Sequence, residues 1–293
     1  MATEKSTRHA LFSNLTLPVV AAPMFLISGP DLVVAACRSG VIGGFPTLNA
    51  RTLEQLDDWL KEIEDRLDAH NQENPTKPAA PHAANLIVHR SNSRASDDLA
   101  LLSEHKVPIV ITSVGHPGDT AHKVHDYGGV VFHDVINLHH ARKAAEAGVD
   151  GLILVCGGAG GHAGLMNPFA FVPQVRAFFD GIILLAGGIS NGRAVRAAEV
   201  LGADLAYMGT RFINTGESLA DDAYKAMIIE AEAKDIVYTD KVSGINANFL
   251  LASLQQAGLA PGGDGPKPDI EMGKDEAKAW KNVWSAGQGV GEI

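Results

Sequence analysis

The run Cys156-Gly-Gly-Ala-Gly-Gly-His-Ala-Gly164 sets five glycines around one histidine. Such a stretch strips side chains from the backbone, so a flat ligand can lie against it. His162 is then the titratable side chain at hand, and an imidazole with an ordinary pKa of ~6.5 can give or take a proton around neutral pH. The competing role is a histidine that satisfies the hydrogen bonds of a turn. Two more glycine sites, Ala186-Gly-Gly-Ile-Ser190 and Met208-Gly-Thr-Arg211, follow apolar runs. There Gly187, Gly188 and Gly209, with Thr210, would let backbone N–H groups approach an anion, and a helix starting near Ser190 would add its positive end. Asn85 stands in an apolar stretch. Its amide either satisfies a core strand or meets a ring whose edge alternates carbonyl and N–H groups.

These residues are useful only if the chain brings them together. Short β-branched runs alternate with amphipathic stretches, the pattern of parallel strands buried on both faces and joined by crossover helices. Strands are expected near Leu17–Ala22, Val41–Phe45, Ala83–Val88, Val107–Thr112, Val130–His133, Gly151–Val155, Ile182–Ala186 and Leu205–Met208. Helices are expected near Asp31–Ser39, Leu53–Ala69, Ser96–Glu104, Thr120–Tyr127, Leu138–Ala147, Pro168–Phe179, Gly192–Leu201 and Leu219–Ala233. Ser28 with Pro30, Thr52, Ser93, and Ser190 or Asn191 are the expected helix caps. Eight such units in about 230 residues fit an α/β fold of the closed eight-stranded β/α (TIM) barrel type better than an open doubly wound sheet. The barrel is expected to span residues 1–216 with the helix to about 233, and residues 234–293 to form a mixed, helical appendage packed on it. Within that appendage a loop is expected over Pro261–Pro268 and an amphipathic helix in Asp275–Ile293; Asn71–Pro81 reads as a surface loop. Catalytic groups of such barrels sit at the C-terminal strand ends, where the glycine sites, Asn85 and Ala21-Ala-Pro-Met24 all fall.

Composition narrows the chemistry. With 293 residues, 46% of them hydrophobic, the chain can bury a large core. A formal charge of −10, from 34 acidic and 24 basic residues, argues against nucleic acid and anionic membranes as partners. The two cysteines, Cys37 and Cys156, suit free thiols in a reducing cytosol better than a secreted disulfide framework. The apolar run Leu15–Ile27 is broken by Pro18 and Pro23, which speaks against a signal peptide or a membrane span and for a cytoplasmic protein. A homo-oligomer is compatible with the sequence. His116, His122 and His125 lack a completing carboxylate or cysteine at a ligand spacing, so no metal is expected. His133 with Asp134 either lines the pocket or forms a loop pair, His139 and His140 face solvent, and Ser243-Gly244 marks a turn.

The motifs Ala22-Pro-Met24, Asn85, Ala159-Gly-Gly-His162, Ala186-Gly-Gly-Ile189, Met208-Gly-Thr210 and Gly287-Gln-Gly289 together resemble the nitronate monooxygenase family, formerly called 2-nitropropane dioxygenases, which are FMN-dependent barrels. The resemblance spans nearly the whole chain. It implies FMN as cofactor, Ala22, Pro23 and Met24 beside its ring, and Asn85 as a flavin ligand. It also implies Gly187, Gly188, Met208, Gly209 and Thr210 around the phosphate, Val155, Gly160, Gly161 and Gln288 within the cofactor site, and His162 as the catalytic residue. The best-known branch has a glutamine in place of Val155 and a glutamate in place of Gly158, so ring-edge contacts and substrate range are open. The activity implied is oxidation of alkyl nitronates, and of nitroalkanes, by dioxygen to a carbonyl compound and nitrite. Two alternatives share the framework: an NAD(P)H-dependent flavin reductase acting on quinone or enoyl substrates, and a non-catalytic flavin-binding module.

Overall fold

The computed structural model describes residues 11–242, 244–259 and 283–293. Its strands are β1 (Val19–Ala21), β2 (Ile42–Pro46), β3 (His82–Ile87), β4 (Ile109–Ser113), β5 (Val130–Val135), β6 (Gly151–Val155), β7 (Gly161–His162), β8 (Ile182–Ala186), β9 (Leu205–Met208), β10 (Ile236–Thr239) and β11 (Ala247–Leu250). The helices are α1 (Pro30–Arg38), α2 (Leu53–Glu73), α3 (Ala95–Glu104), α4 (Thr120–His125), α5 (Leu138–Glu146), α6 (Pro168–Arg176), α7 (Gly192–Leu201), α8 (Thr210–Ile213), α9 (Asp222–Glu230) and α10 (Leu251–Gln256). Strands β1 to β6, β8 and β9 pair in parallel in that order, and β9 returns to β1 to close the barrel. The expected eight-stranded β/α barrel is therefore present. Strands β10, β11 and β7 form a separate antiparallel sheet across part of its mouth side, which the sequence pattern did not suggest.

The strands read as continuous apolar runs because both of their faces are buried. Outward residues such as Phe45, Leu86, Val110, Leu152, Leu154 and Ile183 pack beneath helix residues including Leu56, Leu60, Leu102, Val124 and Phe171. Inward residues Val20, Ile42, Ala83, Ile109, Ile111, Phe132, Ile153 and Leu184 fill the barrel axis, with Phe12 stacked on Phe132 at 6.3 Å between ring centres.

Helix caps follow local hydrogen bonds. Thr52 caps α2 by accepting from the Gln55 N–H at 3.1 Å, as its position suggests. Asn191, rather than Ser190, caps α7 through the Ala194 N–H at 3.0 Å. Ser28 caps nothing; its hydroxyl accepts from the Met24 N–H at 3.0 Å, while α1 begins after Gly29 with Pro30. Ser93 likewise leaves the start of α3 to Arg94, whose N–H donates to the Asn92 side chain. Helix α2 runs to Glu73, so the loop expected from Asn71 begins three residues later. Helix α9 starts at Asp222 rather than Leu219, whose N–H donates to the Ile27 carbonyl at 2.9 Å. Cys37 and Cys156 are free and buried. Among the described residues no helix is long and apolar enough to cross a membrane. Ser243, the Pro261–Pro268 loop and residues 275–282 of the stretch expected to carry a helix lie outside the described residues, and Gln288–Glu292 within that stretch forms a short 3-10 turn.

Barrel filling pairs a large side chain with a missing one. Phe132 is fully buried and stands in register with Gly151 on the next strand. A Cβ at Gly151 would come within 2.6 Å of the Phe132 ring. We expect Gly151→Ala to cost roughly 1–3 kcal/mol by overpacking and Phe132→Ala roughly 3–5 kcal/mol by cavity formation. In the Phe132→Ala background the alanine at 151 should cost far less. Urea unfolding of the single and double variants measures this coupling, and strictly additive losses would refute the packing assignment.

Candidate active site

Alternation along each strand decides which residues meet at the barrel mouth. Counting up from the inward Ala83, Ile111, Phe132, Ile153, Leu184 and Leu205, the next inward positions are Asn85, Ser113, Asp134, Val155, Ala186 and Tyr207. All six line one cavity of about 1080 Å³ at the C-terminal strand ends. It is large enough for a cofactor and a small substrate together.

Most of the residues singled out in the sequence converge there. Ala22, Pro23 and Met24 follow β1, Asn85 is on β3, Val155 ends β6, and Gly160, Gly161 and His162 cross above it; Gly187, Gly188, Gly209 and Thr210 lie at the ends of β8 and β9, and all of them line the cavity. Two do not. Met208 is one step out of phase with the inward Tyr207, so its side chain packs outside the barrel with Val19, Ala36, Val41 and Val195, and only its carbonyl, accepting from the Ala22 N–H at 2.9 Å, touches the site's frame. Gln288 is exposed; its backbone N–H donates to the Gly158 carbonyl at 2.8 Å, and its side chain lies against Gly158, where a Cβ would come within 2.8 Å of its Oε1.

The glycine cradle has the geometry an anion needs. Gly187 and Gly188 adopt φ of +126° and +66°, and a Cβ at Gly187 would lie 2.9 Å from the Gly157 carbonyl. Among the described residues, the N–H groups of Gly188 and Gly209 find no acceptor, and α7 starts beside them at Asn191. Donors without acceptors at a helix start fit the phosphate of a flavin mononucleotide. The chain's last residues pack on this cradle. The Gly287 N–H donates to Thr210 Oγ1 at 2.9 Å, Arg211 donates to the Glu292 carbonyl at 2.8 Å, and Asn191 donates to the Glu292 carboxylate at 2.9 Å. Arg211 is thus held on the barrel rim by the tail.

Asn85 is fixed by its neighbours. Its Nδ2 donates to the Ile111 carbonyl at 3.0 Å and to Ser113 Oγ at 2.8 Å. A backbone carbonyl can only accept, so the amide orientation is set and Oδ1 is left as the group available to a ligand. Asn85 therefore offers an acceptor, rather than the donor and acceptor pair its amide could have presented.

His162 differs from the sequence expectation in its protonation. It sits in β7, paired through its backbone with Ala247 of β11, and burial lowers its pKa to about 4. Placing an imidazolium there costs desolvation, so the ring is neutral at neutral pH instead of titrating around it.

Tyr207 was missed as a site residue; Asp134, read with His133 as lining the pocket or forming a loop pair, does line it. Burial raises the Asp134 carboxyl to about 7, and burial together with the Asp134 charge raises the Tyr207 phenol well above its ordinary range. The strict alternation Val130, Phe132, Asp134 carried the signal. His133 lines the cavity too, but it bonds Thr112 Oγ1 at 2.7 Å instead of pairing with Asp134. His139 and His140 are exposed, His125 pairs with Asp150 at 2.7 Å, and His116 accepts from the Gly118 N–H at 3.0 Å. No metal-holding group of histidine, cysteine and carboxylates occurs among the described residues.

Comparison with known proteins bears on the fold and the family. The nitronate monooxygenase of Paraburkholderia phytofirmans is 26% identical over 295 residues, covering 88% of this chain and 81% of the relative. The (3aS,4S,5R,7aS)-5-hydroxy-7a-methyl-1-oxo-octahydro-1H-indene-4-carboxyl-CoA dehydrogenase of Rhodococcus jostii is 30% identical over 239 residues, covering 81% of this chain and 63% of the relative. Among solved structures, FabK from Thermotoga maritima superposes with a TM-score of 0.76 at 26% identity, over 97% of this chain and 89% of that one. The nitroalkane oxidase of Streptomyces ansochromogenes has a TM-score of 0.77 at 24% identity, over 96% and 92%, and shows the shared fold. The sequence profile of the nitronate monooxygenase family matches residues 6–258. A family of this kind implies a flavin cofactor and an oxidoreductase, and on that match this chain belongs to the nitronate monooxygenase family.

Proposed function

We propose that the protein binds FMN and oxidises small alkyl nitronates with dioxygen, giving a carbonyl compound and nitrite. The observation that carries this reading is the convergence, in one cavity, of an anion cradle at β8 and β9, a side-chain-poor loop after β6, and the neutral His162. Gly188 and Gly209 would hold the phosphate through backbone N–H groups, and the tail over Thr210 and Asn191 leaves little room there for an adenylate, which favours FMN over FAD. Asn85 Oδ1 would accept from the ring's N–H edge. When bound, the flavin supplies electron transfer from substrate and onward to dioxygen.

The rest falls to the protein. A nitronate already carries carbanion character and negative charge, and a neutral His162 can donate a hydrogen bond to its nitro oxygens without the cost of a buried cation. For a neutral nitroalkane the same ring could accept the α-proton. Met24, Phe25 and Val155 present apolar surface suited to short alkyl chains. The partners in this reading are the nitronate and dioxygen, in the cytoplasm, with no nucleic acid or membrane.

The reading requires no external reductant. Purified protein with an alkyl nitronate and air should form nitrite with NADH and NADPH absent, and heat-released cofactor should have the mass of FMN. Rapid anaerobic bleaching of the flavin by NADH, with no nitrite from nitronates, would instead mark a reductase.

Replacing His162 with Ala should leave FMN bound, because backbone groups hold it, and lower turnover by roughly 10²-fold. Because burial holds this histidine at about 4, the wild-type rate on preformed nitronate should show no inflection from it near ordinary histidine values. It should fall only as the ring becomes protonated in more acid solution. Unchanged turnover in the variant would return His162 to a structural role.

A further inference from the structure

Asp134 is a group the function above does not use. It is the inward residue at the end of β5, and it lines the cavity. Its Oδ1 is sealed from solvent with no hydrogen-bond partner among the described residues. An ionised carboxylate oxygen left this way is costly, so the site must supply either a proton or a donor.

Strand order says what stands opposite. In a closed ring ordered β1-β2-β3-β4-β5-β6-β8-β9, the ends of β8 and β9 face β3 and β4 across the axis, with β5 next to β4. A planar ring held through a phosphate at Gly188 and Gly209, were it to lie across the mouth, would have Asn85, Ser113 and Asp134 at its far side. Asn85 presents an acceptor there. The remaining positions on the far edge of a flavin are carbonyl oxygens and a ring nitrogen, all acceptors, which call for a donor. Asp134 can be one only as the acid.

We propose that Asp134 is the proton-storing residue of the cofactor site: it takes up a proton from solvent when the bound flavin is reduced and, as the acid so formed, donates a hydrogen bond to the flavin's acceptor edge. The proposal rests on the flavin reading above. Its balance is simple. Two electrons from a donor, dithionite in the test and an electron-rich substrate in turnover, and one proton convert the neutral oxidised ring to an anion. That anion, beside Asp134, draws a second proton onto the carboxylate, which becomes a carboxylic acid. Reoxidation by dioxygen carries the two electrons and both protons away as hydrogen peroxide and leaves the carboxylate.

The surroundings permit this. Burial alone lifts the Asp134 carboxyl to about 7, so both forms are accessible near neutrality. The titratable groups around it are His162 and Tyr207 in the same chamber, His133 as its chain neighbour, and His116, His140 and Lys143 farther along the cavity wall. His162 and His133 are held neutral at about 4, and Tyr207 stays protonated, so none of these three takes the proton at neutral pH.

The test uses the FMN-loaded protein at mildly alkaline pH, reduced anaerobically with dithionite in weak buffer with an indicator dye. The dye reading is corrected for the protons that dithionite oxidation itself releases, measured with ferricyanide, whose reduction takes up no proton. We expect uptake of about two protons per flavin in the wild type and about one in Asp134→Asn. Asp134→Asn keeps a donor and should retain FMN, whereas Asp134→Leu should bind reduced FMN at least tenfold more weakly relative to oxidised FMN than the wild type does. A second reading needs no variant: the visible spectrum of oxidised wild type should shift with a single-proton midpoint near the value given for Asp134. Equal proton uptake in wild type and Asp134→Asn, or a wild-type spectrum flat through neutrality, overturns the proposal while leaving FMN binding intact. Failure of the wild type to bind FMN at all overturns both readings.

Discussion

Closure of eight parallel strands into a ring is the constraint on which everything else depends. Once β9 pairs back to β1, every strand is buried on both faces, and each must deliver alternate residues to a single axis. The lower part of that axis is filled by Val20, Ile42, Ile109, Phe132 and Leu184. The uppermost inward residues have no layer above them to pack against, so polar groups are tolerated there and nowhere lower. Asn85, Ser113, Asp134 and Tyr207 occupy these positions because alternation places them there, and their chemistry is available for the same reason.

The second consequence is electrical. The pocket floor is walled by apolar strand residues, and burial penalises whichever form of a group carries charge. That pushes His162 and His133 down and Asp134 and Tyr207 up, so at neutral pH both rings and the phenol are uncharged and the Asp134 carboxyl stands between its two forms. A low-dielectric site is selective in a useful way. It resists a fixed counter-ion but responds strongly to any charge that arrives or develops inside it, since little solvent screens that charge.

Much of this was legible in the sequence. The βα period fixed the fold class, and the boundaries of β6, β8 and β9 follow directly from apolar runs ended by glycine. The convergence of Ala22-Pro-Met24, Asn85, His162 and the two glycine loops on one cavity also follows from their strand-end positions. Three things were not legible. The phase that turns Met208 outward depends on where its strand starts relative to Tyr207, which composition does not give. The neutrality of His162 depends on burial by β10 and β11, a sheet formed with residues some eighty positions away. The acceptor-only state of Asn85 depends on Ile111 and Ser113, neighbours on another strand. Each is a tertiary property, set by what packs beside the residue.

The tail shows how such a site can be closed without side chains entering it. Gly158, Gly160 and Gly287 meet backbone to backbone: a Cβ on Gly160 would stand 2.8 Å from the Gly287 nitrogen, and one on Gly287 would stand 2.6 Å from the Gly158 carbonyl. Gly289 lies equally close to Ser190, where a Cβ would collide with the hydroxyl. Glycine on both sides of the contact lets residues 286–289 lie flat on the β6 loop and on the start of α7. The same hydrogen bonds that seat the tail, from Gly287 to Thr210 and from Gln288 to Gly158, tie the cradle at β9 to the loop that carries His162. Anything that loosened that seam would widen the phosphate end and the histidine end together, so holding the cofactor and positioning the reactive ring are a single structural task in this fold.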